Sequence, residues 1–162
     1  MTQQQSVQRR VFVHPGVLAL CWIHADSRSK SANTFLQGLA ASGDLFVLLD
    51  STRLFVLQRL ATEFETVHLD RSIGSLLAED VSSTIGALLE QSFVKVIPTN
   101  PMLAAGFIVA SELSVDLALG MSLFVASSTA DELLIVEPPP QRITEAINSR
   151  FPMLRLSALR NE

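Results

Sequence analysis

RVFVHPGVLALCWIHAD, residues 10–26, opens on an apolar run, Val11–Val13, and closes it at His14-Pro15-Gly16. A short apolar run ended by proline and glycine reads as a buried β-strand. In open α/β sheets ligands bind beyond the carboxyl ends of the strands, so the residue at that end matters. An acid or a glycine-rich loop is usual there; here the residue is His14. Four more β-rich runs follow, Leu45–Leu49, Val94–Ile97, Leu133–Val136 and Met153–Leu156, and helical patterns separate them. Alternation of this kind predicts a three-layer α/β/α sandwich around a parallel sheet of about five strands, the first strand in the middle.

Between the first two strands, Ala32, Phe35, Leu36, Leu39 and Ala40 keep helical spacing, and Gly43 supplies a stop. After the second strand, Leu54, Leu57, Ala61 and Phe64 form one apolar stripe. Residues 73–89 predict a long helix ahead of the third strand. Two helices fit between Pro101 and Ser128, divided at Leu113-Ser114, with Ser114 as the expected N-cap of the second. Pro138-Pro139-Pro140 ends the fourth strand and starts a helix carrying Ile143, Ala146 and Ile147. We assign residues 1–9 to a flexible tail and 10–162 to one domain.

The chain has 162 residues, 48% of them apolar, which suffices for one sizeable core. The most membrane-like segment, Met102 to Ala126, is interrupted by Glu112 and Asp116, so no membrane association is expected. The polar start, MTQQQSVQRR, lacks a signal-type apolar stretch, and the single Cys21 suits a reducing compartment; both predict a cytoplasmic protein. Cys21 lies between Leu20 and Trp22 and reads as packing. Net charge is −4 and uneven: residues 61–137 hold eleven acids against two bases, and residues 1–60 hold six bases against three acids. That balance disfavours tight nucleic-acid binding, although Arg9, Arg10, Arg28, Lys30, Arg53, Arg142 and Arg150 would make a local basic face if the chain ends met. GxxxxGK[ST] and GxGxxG are absent, one cysteine excludes a cysteine-rich zinc site, and no base-stacking aromatic platform is evident.

FVKVIPTNPMLAAGFIVASELSVDLALGMSLFVASS, residues 93–128, reads as a strand, a helix, a Leu-Ser break and a helix opening on a carboxylate. With RVFVHPGVLALCWI and LFVLLDSTRLFVLQRL, this order resembles the PIN domain (PilT N-terminus) family, which includes toxin nucleases of bacterial toxin–antitoxin pairs. The resemblance covers most of residues 10–157 and rests on pattern more than on identical residues. It implies an RNA-cutting site in which three or four carboxylates hold Mg²⁺ or Mn²⁺, and a metal-bound water attacks the phosphodiester. It also implies that strands one and four are neighbours.

This sequence departs from that site at two positions. The acid ending strand one is replaced by His14, and the glutamate of the helix after strand two by Phe55, with no acid between Ser51 and Thr62. Asp116 and Glu137 match the third and fourth acids. Imidazole carries no negative charge to set against a hard cation, so a dismantled site is expected. Asp116 also reads as a helix-start carboxylate, Glu137 as a polar strand end, and His14 as a hydrogen-bonded structural histidine. His24 and His68 show no ligand spacing. Off the Leu54 stripe, Phe55 is expected in the cleft, at another subunit or under a loop. Asp50, after strand two, is a further cleft acid, and Asp26 reads as a turn cap.

The leading expectation is a catalytically degenerate, PIN-like domain that binds nucleic acid or a protein partner, antitoxin-like or a second copy, without a cofactor. One alternative is an active Mg²⁺- or Mn²⁺-dependent ribonuclease using Asp116, Glu137 and Asp50 or Asp26; another is an unrelated flavodoxin-like regulatory domain. A homodimer is expected through Phe55 and Val56, or through the helices of residues 101–127.

Overall fold

A computed structural model describes residues 7–24, 26–64 and 71–159, with no side-chain description for Arg71 and Ser72. His68 lies outside the described residues. Five strands, β1 (Arg10–Val13), β2 (Leu45–Leu49), β3 (Val94–Ile97), β4 (Glu132–Ile135) and β5 (Arg155–Ala158), form one sheet in the order β3-β2-β1-β4-β5. Every pairing is parallel. The helices are α1 (Pro15–Ala19), α2 (Arg28–Ser42), α3 (Thr52–Glu63), α4 (Arg71–Leu89), α5 (Leu103–Leu113), α6 (Leu117–Thr129) and α7 (Gln141–Arg150).

The strands alternate between two cores, as a sheet covered on both faces must. Val11, Val13, Phe46 and Leu48 point to the layer that holds α1 to α4. Phe12, Val47, Leu49, Leu133 and Ile135 point to the layer that holds α5 to α7. This is the expected three-layer sandwich with β1 at its centre. A flavodoxin-like sheet runs 2-1-3-4-5 and sets β1 beside β3. Here β1 lies between β2 and β4, so the flavodoxin-like arrangement does not apply.

Local stops follow the sequence. Gly43 ends α2 with φ 77, a left-handed conformation that costs glycine no Cβ clash. Pro140 is the N-cap of α7. Ser114 is corrected: it is the left-handed C-cap of α5 (φ 56), and Asp116 caps α6. β5 starts two residues later than expected. Its register follows β4, Glu132 facing Arg155 and Leu133 facing Leu156, while Met153 remains 90% exposed. The stripe on α3 is also corrected. Thr52, Val56 and Leu60 are buried with Phe55 beside them, whereas Leu54 is 66% exposed. The buried face is set by α1 and α4, against which α3 packs.

Among the described residues no single helix is long and apolar enough to cross a membrane. α5 (with the turn before it) and α6 match a span only together, and they are bent by 114°. Gln8 and Arg9, assigned to the tail, are anchored: Gln8 donates to the Gly43 carbonyl (2.8 Å) and Arg9 pairs with Asp44 (3.1 Å).

Candidate functional site

The chain leaves β1 toward β2 and β3 on one side and reaches β4 on the other, so the sheet reverses between β1 and β4. A crevice opens beyond the strand ends at such a point. His14 N–H donates to the Leu134 carbonyl (2.9 Å), which ties the end of β1 to β4. The His14 imidazole then turns back over α1, and its Nδ1 accepts the Gly16 N–H at 2.9 Å. Pro15 starts the helix without a donor that would need a partner. A Cβ on Gly16 would lie 2.9 Å from Nδ1, so only glycine admits the ring there. His-Pro-Gly is therefore a helix cap built around an imidazole.

This cap fixes the tautomer. Since Nδ1 accepts, the neutral ring carries its proton on Nε2. Nε2 is shielded from solvent and has no hydrogen-bond partner among the described residues. Burial lowers the His14 pKa to about 4; Asp116 works against that shift and Arg59 adds to it. At neutral pH the ring is an uncharged donor with no acceptor among the described residues.

Around it lie two chambers. The first, about 240 Å³, has apolar walls of Pro15, Phe55, Leu117 and Ala118, with Gln58, Arg59 and Thr62 along α3. The second, about 260 Å³, holds Arg28, Val136 and Glu137. His14, Gly16, Arg59 and Asp116 border both. Asp116 Oδ1 accepts the Leu119 N–H (2.8 Å) as the cap of α6. Its Oδ2 has no hydrogen-bond partner among the described residues. Arg28 donates to both oxygens of Asp26 (2.9 and 3.0 Å) and to Glu137 (3.2 Å). The Arg28 guanidinium holds the Asp26 carboxyl below its usual range.

The structure thus brings His14, Phe55, Asp116 and Glu137 to one cleft, with Asp26 joined to it through Arg28. Asp50 does not line either chamber. Its Oδ1 accepts the Thr99 N–H (3.0 Å) and hydroxyl (2.5 Å), and it serves to join β2 to the segment after β3. Phe55 is 8% exposed and belongs to the core on the α5–α7 side, and buried Val56 to the core on the α1–α4 side, so neither is available to another subunit. The basic face built from the chain ends does not form: Arg9 and Arg10 pair with Asp44, Glu132 and Asp131, and Arg150 pairs with Glu112.

Sequence reading named Arg28 only for a basic face and missed Arg59. Arg59 lies four residues after Phe55, one turn along the same face of α3, and a correctly placed stripe exposes that relation. Arg28 meets Glu137 across 109 positions, which no local pattern records. A hard divalent ion does not fit this set. Glu137 and Asp26 share the Arg28 cation, Asp116 is turned onto a backbone N–H, and among the described residues no three His, Cys, Asp or Glu side chains are grouped to hold a metal. Cys21 is half-buried and burial raises its thiol pKa, which suits packing better than reactivity. No protein-family model matches this sequence, and no curated protein matches it.

Proposed function

We propose that this chain is a PIN-like domain that no longer cuts RNA and works as a binding module, for nucleic acid at the β1/β4 cleft or for a protein partner. One observation carries this reading: Asp26 and Glu137 are held by an internal cation, Arg28, Asp116 is turned onto the α6 backbone, and the centre of the cleft is a neutral imidazole. A phosphodiester hydrolase of the metal type needs uncompensated acids at that place to collect a cation. The neighbouring β1 and β4 agree with the resemblance and supply the crevice.

Purified protein incubated with single-stranded RNA and Mg²⁺ or Mn²⁺ is expected to leave the RNA intact while retaining it in a binding assay. Metal-dependent cleavage that disappears in Asp116→Asn overturns the reading and restores the ribonuclease alternative.

A protein partner is favoured by a separate observation. Leu103, Phe107 and Ile108 on α5 are 45%, 62% and 51% exposed, which gives a contiguous apolar face. A second copy of the chain suits it, because an uncharged face is complementary to itself about a twofold axis. Light scattering is expected to give a dimer mass that Phe107→Glu reduces to a monomer; a monomeric parent protein ends this reading.

A further inference from the structure

The cleft offers one donor and one acceptor that the fold does not use. His14 Nε2–H is a donor because the Gly16 N–H occupies Nδ1, and it is left unpartnered where water does not reach it. A buried donor without an acceptor is rare in folded proteins and points to a missing partner. Asp116 borders the same chambers; its Oδ1 is taken by the Leu119 N–H, and Oδ2 has no partner among the described residues.

The surroundings define what meets this pair. Arg28 and Arg59 are matched in the lining by Asp116 and Glu137, so the cleft has no surplus charge with which to hold an anion. The chamber beside the pair is walled by Pro15, Phe55, Leu117 and Ala118, which suits a flat apolar body. Its volume of about 240 Å³ is below that of a drug-sized site, so the body is small. Arg59, paired with Glu63 one turn along α3 (3.2 Å) and with 44% of its side chain exposed, stands at the chamber wall, where its guanidinium plane can receive a stacked ring.

We propose that this cleft binds a neutral planar heterocycle of nucleobase type by one edge: His14 Nε2–H donates to a ring acceptor, the Asp116 carboxylate accepts from the adjacent N–H, and the ring lies in the Phe55 chamber. Each base presents such a donor beside an acceptor, and unstacked bases are recognised through their edges in single-stranded RNA. A free nucleoside presents the same edge. The inference rests on the binding-module reading for its RNA form, and on the cleft alone for its nucleoside form. Because Nε2 is shielded, entry of the ring requires side chains at the chamber to shift, and Arg59 has the exposure to do so.

The test uses the full chain, labelled with ¹⁵N, and follows the His14 imidazole resonances at neutral pH. The four ribonucleosides, and separately a short single-stranded oligoribonucleotide, are titrated to about 10 mM and to saturation, respectively. At least one nucleoside is expected to shift the Nε2 signal, and Asp116→Asn is expected to weaken its binding about tenfold, since a charged acceptor is lost. Asparagine caps helices as well as aspartate does, so this variant keeps α6 in place. Silence of His14 toward every nucleoside overturns the pocket. Oligonucleotide binding that leaves His14 unmoved overturns the RNA form of the pocket, while the binding-module reading survives. Nucleoside shifts without any oligonucleotide binding keep the pocket and remove its RNA form.

Discussion

The two ends of one sheet treat their charges differently. At the amino end, Glu132 is a buried strand residue that Arg9 reaches at 3.2 Å and Arg155 at 3.7 Å. Beside it, Arg10 donates to Asp131 from its backbone and its guanidinium, and Asp44 accepts from Arg9 and Ser42. Each of these carboxylates takes at least two polar contacts. At the carboxyl end Asp26 and Asp50 are as fully engaged, but among the described residues His14 Nε2 has no partner, Asp116 has one, and Glu137 has a single contact with 77% of its side chain exposed. A saturated network holds strands in register and has no capacity left for a ligand. A buried group without a partner, as Nε2 is among the described residues, bears a cost that a ligand can remove, whereas the exposed Asp116 and Glu137 are solvated. The amino end is the structural end, and the carboxyl end is the one with something left to bind.

Acid is expected to separate the two ends most strongly. Burial lowers the His14 pKa from the ordinary 6.5 to about 4, so the unfolded chain takes up a proton at a higher pH than the folded one. Stability therefore falls as pH drops from about 6.5 to about 4, by about 3 kcal/mol from this group alone, and changes little from it below that range. The groups facing the ring are Asp116 on α6, Arg59 on α3, and Arg28 and Glu137 across the second chamber. In His14→Asn the new side chain can still cap α1 but does not titrate. Urea denaturation at about pH 7 and about pH 4.5 is expected to show a smaller acid loss in His14→Asn than in the parent. Equal losses would place the acid sensitivity elsewhere.

The amino end is expected to yield the next largest effect. Removing Arg9 leaves the buried Glu132 carboxylate to Arg155, which lies farther away and is 69% exposed. Breaking a buried ion pair costs about 3–5 kcal/mol, and with Arg9 40% exposed and Arg155 remaining, about 2 kcal/mol is expected for Arg9→Ala. Chemical denaturation measures the loss. His14 resonances should be unmoved, because the network lies at the other end of the sheet. A shift at His14 would show that the two ends are coupled.

Much of the fold was legible because β-runs and helical stripes are local patterns. Val11–Val13 and Leu45–Leu49 are apolar throughout, and Gly43 marks the end of α2. What failed was decided by distant partners. Leu54 is as apolar as Val56, and only the placement of α1 and α4 selects the latter for burial. Met153 and Leu154 look like strand residues, but pairing with β4 sets the register two residues later. In the site, His14 and Glu137 were placed by the rule that ligands gather at a sheet's switch point. Asp50 obeyed the same rule in sequence and failed in space, since Thr99, 49 residues away, takes its carboxylate. Arg28 and the unpartnered Nε2 are products of tertiary geometry and have no local signature.

The smallest effect concerns Asp116, whose two oxygens divide the roles seen at the two ends. Oδ1 is structural: it accepts the Leu119 N–H at 2.8 Å and closes the first turn of α6. Oδ2 has no such duty among the described residues. Loss of an N-cap side chain costs about 1 kcal/mol, and replacement of aspartate by asparagine costs little because both cap well. Asp116→Ala is therefore expected to lower the denaturation midpoint by the equivalent of about 1 kcal/mol, with Asp116→Asn close to the parent. Denaturation curves of the three proteins at about pH 7 measure this. Equal loss in both variants would mean that the carboxylate's charge near the α6 terminus outweighs its hydrogen bond. An Asp116→Asn protein as stable as the parent confines the difference between the two ends to ligand binding, where Oδ2 is the oxygen that acts.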